Sequence, residues 1–188
     1  MEFVIKGVSM FYSAHYSSPV GMIMLAAKGP NLVGLWNEGQ KYHGASLRGN
    51  VTEKPDWPVL MKAKEWLDAY FAGDRPPISA LPLSPAGSAF RQGVWEILCG
   101  IPYGMCVTYG DIARKMAALM EKESMSSQAV GGAVGHNPIS IVIPCHRVVG
   151  SNGSLTGYAG GLTTKIRLLE LEGADTSRFF VPAKGAAL

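Results

Sequence analysis

Residues 137–150 read Asn-Pro-Ile-Ser-Ile-Val-Ile-Pro-Cys-His-Arg-Val-Val-Gly, a β-branched apolar run that ends in a cysteine and a histidine side by side. A thiol reacts as its thiolate, and apolar surroundings alone would raise the Cys145 pKa and silence it. An adjacent base can compensate. His146 can take the thiol proton directly or through a water if its ring turns toward the sulfur, and a carboxylate on its other ring nitrogen would fix the tautomer. Glu172, at the end of the last predicted helix, is the candidate carboxylate. Neighbouring strand residues point to opposite faces, so the pairing requires a turn at Pro144. The bland alternative is a buried structural cysteine beside a satisfied core histidine.

Other chemistries find less support. Cys99 and Cys106 are too far apart, and His15 and His43 too remote, to form a zinc pattern, and Cys145 stands alone. No metal and no cofactor is expected. There is no Gly-x-Ser-x-Gly elbow and no phosphate-binding Gly-x4-Gly-Lys-Ser/Thr loop.

The elements that must position these residues fit a globular chain of 188 residues, 47% hydrophobic and 16% charged, with 23 glycines and 12 prolines to punctuate turns. Its formal charge of +3 permits a polyanionic partner without demanding one. No apolar run is long enough to cross a membrane, the first 21 residues lack the pattern of a signal peptide, and an odd number of cysteines argues for reduced thiols; the expectation is a cytoplasmic protein.

Segments 11–16, 21–27 and 32–36 predict an antiparallel meander. Asp56, Trp57 and Pro58 start a helix with apolar residues at Leu60, Ala63, Leu67 and Phe71, stopped by Gly73. Four prolines in 76–85 predict extended chain and a boundary between a domain at 1–85 and one at 86–173, with a patternless, mobile tail at 174–188. Ser88 caps a helix with Phe90, Val94, Ile97 and Leu98 on its apolar face. Thr108 and Asp111 form a capping box for a helix over 109–120. Ser126 or Ser127 caps a second helix, with Val130 and Val134 on one face and Ala129 and Ala133 on another; three glycines leave a loop as the alternative. The two together would make a helix-turn-helix, the second helix almost bare of side chains. Thr163 or Thr164 caps the last helix, with Leu162, Ile166 and Leu169 on one face.

Ile-Pro-Cys-His-Arg-Val-Val-Gly, preceded by Ala-Val-Gly-Gly-Ala-Val-Gly-His-Asn-Pro and followed by residues 153–173, closely resembles the active-site half of the O6-alkylguanine-DNA alkyltransferases, also called methylated-DNA-protein-cysteine methyltransferases. The resemblance covers residues 88–173 strongly and the first half in pattern only. It implies an α+β fold: a small ribonuclease-H-like antiparallel-sheet domain, then a mainly helical, winged-helix-like domain. It implies that Cys145 takes an alkyl group from O6 of guanine in double-stranded DNA and keeps it, once per molecule. His146 would draw off the thiol proton through a water, Glu172 would orient His146, Asn137 would hold the turn, and Tyr109 would donate toward the leaving guanine. Gln128, Ala129, Gly131, Gly132, Val134, Arg147, Val148, Tyr158, Ala159 and Gly160 would bind DNA or the flipped base. Acceptance of O4-alkylthymine is left open by the sequence, and a monomer would suffice.

Three other readings compete: a lesion-binding alkyltransferase-like protein, which would lack the cysteine; a plain helix-turn-helix regulator, which leaves Pro144 to Arg147 and Glu172 unexplained; and a cysteine hydrolase. One position departs from the family pattern. Many members carry an arginine before Ala-Val-Gly-Gly-Ala, and here it is Gln128, which lacks guanidinium charge and stacking strength. Gln128→Arg is therefore expected to tighten duplex binding and steepen its salt dependence by about one phosphate-like charge at most. Affinity and salt slope both unchanged in a titration at several salt concentrations would refute this.

Overall fold

A computed structural model describes residues 10–182; residues 1–9, part of the segment read as lacking a signal peptide, and 183–188, the end of the expected tail, lie outside it. The first half begins with the meander anticipated from the alternating apolar runs. Strands β1 (Met10–Ser18), β2 (Gly21–Lys28) and β3 (Asn31–Asn37) pair antiparallel through two tight turns. A fourth strand, β4 (Asn50–Glu53), pairs parallel with β1 and gives the order β3-β2-β1-β4. All four of its residues are exposed, so it carries no alternation that a sequence pattern could reveal.

Helix α1 (Pro58–Phe71) buries Val59, Leu60, Ala63, Trp66, Leu67 and Tyr70. Its N-cap is Trp57 rather than the expected Asp56, and no side chain caps it; Pro58 at the first helical position supplies the start. The proline-rich segment is extended apart from a 3-10 turn at Ile78–Ala80, and it runs beside the open edge of β3. Leu32 N donates to Pro82 O (2.9 Å) and Ser84 N to Leu32 O (2.9 Å). An edge is where prolines can lie beside a sheet without breaking its ladder.

The second half comprises α2 (Ala89–Cys99), β5 (Val107–Thr108), α3 (Tyr109–Leu119), α4 (Ser127–Gly135), β6 (Val148–Val149, parallel to β5) and α5 (Leu162–Leu171). Ser88 and Ser126 cap α2 and α4, and both bonds of the Thr108 and Asp111 capping box form. The glycine-rich α4 is a helix because it buries Val130, Ala133 and Val134, and Trp95 Nε1 donates to Ala133 O (2.9 Å). Ala133 thus shares the face of Val130 and Val134, not that of Ala129. The last helix is capped by Gly161, at φ 87°, and not by Thr163 or Thr164.

Two further expectations are corrected. Residues 139–143 are not a strand. Ile139 alone bridges to Leu35, with Leu35 N donating to Pro138 O (2.8 Å) and Ser140 N to Leu35 O (2.9 Å), and the chain then coils tightly through Ile141 at φ 70°. β-Branched apolar composition signalled burial here, not extension. The tail also docks: Leu155 N donates to Phe180 O (2.9 Å), Phe180 N to Gly153 O (3.1 Å), and Phe179 packs on Val149, Leu155 and Leu169.

One hydrophobic cluster runs from Ile23, Leu25 and Leu35 of the sheet through α1 to Val94, Trp95, Val134, Ile143 and Cys145 of the second half. The halves share a core. Leu35→Ala should cost about 2–4 kcal/mol and move both halves together. Urea transitions followed by tryptophan fluorescence and far-ultraviolet dichroism should stay coincident; separated midpoints would contradict a shared core.

Candidate active site

Asn137 leaves the C-terminal end of α4 and organises the coil that follows. Its Oδ1 accepts from Ile139 N (3.0 Å), and its Nδ2 donates to Ile143 O (2.8 Å) and to Cys145 Sγ (3.1 Å). Pro144 then turns the chain into a single 3-10 turn, Cys145–Arg147. Cys145 and His146 thus sit on a turn, where strand alternation does not apply. The thiol is 3% exposed. Burial pushes its pKa up, opposed by the Asn137 hydrogen bond and by the charge of Lys165.

His146 is fully buried, with Nε2 2.7 Å from Glu172 Oε1 and Nδ1 without a partner among the described residues. Burial lowers the imidazole pKa, and Glu172 restores only part of it. A neutral ring beside an ionised carboxylate places its proton on Nε2, donating to Glu172, and leaves Nδ1 as the basic nitrogen.

Glu172 is held from several sides. Oε1 accepts from Tyr70 Oη (2.8 Å), His146 Nε2 and Arg147 Nη2 (2.9 Å); Oε2 accepts from Arg147 Nε (2.8 Å) and Gly104 N (3.1 Å). Burial alone would raise its pKa, but the His146 and Arg147 hydrogen bonds and the Arg147 charge outweigh burial and hold it well below the usual carboxylate range. Gly104 has φ 76°, and a Cβ there would meet Glu172 O at 2.8 Å, so glycine is required for that amide to reach the carboxylate.

Several residues expected to meet DNA or base have other places. Arg147 is 7% exposed, paired with Glu172 and donating from Nη1 to Ile101 O (2.5 Å); it is part of the buried pair, not a groove cation. Val134 and Val148 are core side chains, at 1% and 0% exposure. Gly131 is buried against the Tyr109 ring, whereas a Cβ at Gly132 would meet nothing within 4 Å. Gln128 and Ala129 are exposed, so the bare outward face of α4 is Gln128, Ala129 and Gly132. Tyr109 Oη donates to Thr156 O (3.1 Å) and Gly157 O (3.3 Å), and Tyr158, 8% exposed, stands edge-on to His146 with ring centroids 6.4 Å apart. Ala159 accepts from Lys41 N, and Gly160 lies between Asn37 and Tyr158.

Sequence reasoning missed Tyr70 and Lys165. Tyr70 looks like one more apolar position of α1. Lys165 follows Gly161 at a helix start, where a lysine reads as solvated, yet it is fully buried, donating to Val148 O (2.5 Å) and Thr156 O (2.9 Å). Its ammonium thus joins β6 to the loop that Tyr109 also holds. Burial brings its pKa down to about 8, while Cys145 and Cys106 act the other way.

Between that value and the ordinary lysine pKa, the unfolded chain binds a proton that the folded chain has released, so this residue makes stability rise with pH in that window. Cys145, raised by burial, acts in the opposite direction in both proteins. Lys165→Met should therefore lose stability relative to wild type progressively as pH rises from about 8 to about 10.5. Melting temperatures of the pair across this range provide the check, and a constant difference would contradict the buried ammonium.

Residues 11–85 match the family described as 6-O-methylguanine DNA methyltransferase, ribonuclease-like domain, and residues 89–174 that described as 6-O-methylguanine DNA methyltransferase, DNA binding domain. The methylated-DNA–protein-cysteine methyltransferase of Haemophilus influenzae is 37% identical over 165 residues, 88% of each chain. That of Methanosarcina acetivorans is 41% identical over 168 residues, 87% of this chain and 99% of the relative. Mycobacterium tuberculosis O6-methylguanine methyltransferase has the same fold at a TM-score of 0.75, with 39% identity over 93% of this chain and 97% of that one. Mycobacterium tuberculosis OGT in complex with DNA gives 0.74 and 39%, covering 93% and 96%. Both halves match in order and the relatives align over most of its length, so the chain belongs to the methylated-DNA–protein-cysteine methyltransferase family.

Proposed function

We propose that this chain repairs alkylated DNA by moving a methyl or other alkyl group from O6 of guanine in a duplex to Sγ of Cys145, once per molecule. The observation that carries the reading is a buried thiol held by the Asn137 amide beside an imidazole whose basic nitrogen is unpartnered and whose other nitrogen is bound to Glu172.

The chemistry follows from those contacts. The thiol proton passes through a water to His146 Nδ1, and the resulting imidazolium is neutralised by the ionised Glu172. The thiolate, steadied by the Asn137 amide and the Lys165 charge, attacks the alkyl carbon. The S–C bond forms as the C–O6 bond breaks, and the electron pair passes to O6 and the guanine ring. Burial raises the Tyr109 hydroxyl pKa, so it stays a phenol and can donate to that ring in exchange for its bonds to Thr156 and Gly157. A thioether has no leaving group that water displaces under these conditions, so the protein is spent after one event.

Duplex DNA is the partner this needs. A base inside the stack cannot present O6 to a buried thiol and must be flipped out, at a cost of a few kcal/mol. An outward face of α4 that carries Gln128, Ala129 and Gly132 suits close approach of the helix backbone to a groove, and Gln128 would fill the space of the flipped base. All the groups of the reaction come from one chain, so a monomer suffices. No helix among the described residues is long and apolar enough to cross a membrane.

The test is intact-protein mass after mixing equimolar protein with an O6-methylguanine duplex. Wild type should gain one CH2, mapped to the Cys145 peptide and complete after one equivalent, and Cys145→Ser should gain nothing. His146→Ala should slow the reaction by about 10²-fold or more. An unchanged wild-type mass with the lesion intact would replace transfer by lesion binding.

A further inference from the structure

β3 ends at Asn37, and the turn after it runs along the loop that carries Tyr158: Lys41 N donates to Ala159 O (3.2 Å). The Asn37 backbone is fixed there, its N–H donating to Gln40 Oε1 (2.7 Å), which also accepts from Ser140 Oγ (3.4 Å). Asn37 is 4% exposed, yet its Nδ2 and Oδ1 complete no hydrogen bond of ordinary geometry among the described residues. The Tyr158 hydroxyl is buried in the same condition.

The two groups face each other across Gly160. A Cβ on Gly160 would lie 2.4 Å from Asn37 Nδ2 and 2.7 Å from the Tyr158 ring, so both side chains close on the space that this glycine leaves. Asn37 and Ser140 are near enough to the Tyr158 hydroxyl to oppose the rise in its pKa that burial causes. Tyr158 in turn stands edge-on to His146 and within the electrostatic reach of Cys145. Unpaired buried amide groups are rare, because an apolar side chain of the same shape would be more stable there. An asparagine at this position is therefore a stability cost that a structural role does not explain.

We propose that Asn37, supplied by the first half of the chain, is a positioning residue for alkyl transfer: its carboxamide takes up the Tyr158 hydroxyl as the alkyl group enters and so sets how much room that group has beside Cys145. The proposal rests on the function proposed above. When the alkyl carbon enters, Tyr158 must keep its ring against the substrate. The amide behind it, able to donate from Nδ2 and accept at Oδ1, can follow the hydroxyl through a small displacement. Asn37 touches no reacting atom in this scheme and acts through Tyr158.

Asn37→Leu keeps the shape and removes the amide. Single-turnover transfer from an O6-methylguanine duplex at saturating protein should slow by roughly tenfold, the rate equivalent of about one net hydrogen bond. Duplex affinity should be unchanged and the melting temperature unchanged or higher. A rate equal to wild type, or rate and melting temperature falling together, would overturn the proposal. Asn37→Ala opens space behind Tyr158 and should raise the rate on an O6-benzylguanine duplex relative to the O6-methyl one; an unchanged ratio would count against the pocket-size role. Wild type run in parallel separates the two levels: if it does not self-alkylate, the proposed function itself fails, whereas a reactive wild type with an equally reactive Asn37→Leu removes only the role of Asn37.

Discussion

The rest of the site depends on one buried carboxylate. Glu172 ends the last helix, and its two oxygens collect donors from α1 (Tyr70), from the chain before β5 (Gly104) and from the turn after Pro144 (His146 and Arg147). Such a charge is tolerable in the interior only because hydrogen bonds and the Arg147 cation replace water. Burial first, and the Arg147 cation as a smaller contribution, keep the His146 imidazole neutral against the pull of Glu172. Arg147, which reads in sequence as a DNA contact, lies buried against this carboxylate.

The loop at Thr156 to Gly160 is organised by a second set of contacts. Lys165 and Tyr109 both bond the carbonyl of Thr156, and Lys165 adds the carbonyl of Val148. These are main-chain acceptors, so they fix where the backbone of the pocket runs whatever side chains the loop carries. The coil at Ile141, a β-branched residue at φ 70°, adds local strain of about 1–3 kcal/mol, which the dense packing around it sustains.

Much of this was legible in the sequence where the signal is local. The Ser88 and Ser126 caps, the Thr108 and Asp111 box and the β1 to β3 meander are set by neighbours a few residues apart, and each formed where its residues predicted. The pairing of His146 with Glu172 was also anticipated. What sequence could not show is burial of polar groups by distant chain. Lys165 and Arg147 are cations whose partners are carbonyls and a carboxylate brought near by folding. β4 has no apolar face, and 139–143 is apolar without being extended. Asn37, at the end of an ordinary strand, has no local feature that distinguishes it from a turn residue.

The open edge of β3 has a consequence for synthesis. Its partners are Pro82 to Ser84 and then Pro138 to Ser140, while Tyr70 of α1 meets its acceptor only at Glu172. A chain emerging from the ribosome leaves the Leu35 end of that edge unpaired until residue 140 has been made, and the Tyr70 phenol without its acceptor until residue 172. The sheet that comes first is thus finished only by chain from the second half. A message cut short before Pro138 yields an edge partly free to pair with other chains, which makes such incomplete copies candidates for aggregation or proteolysis rather than for partial activity.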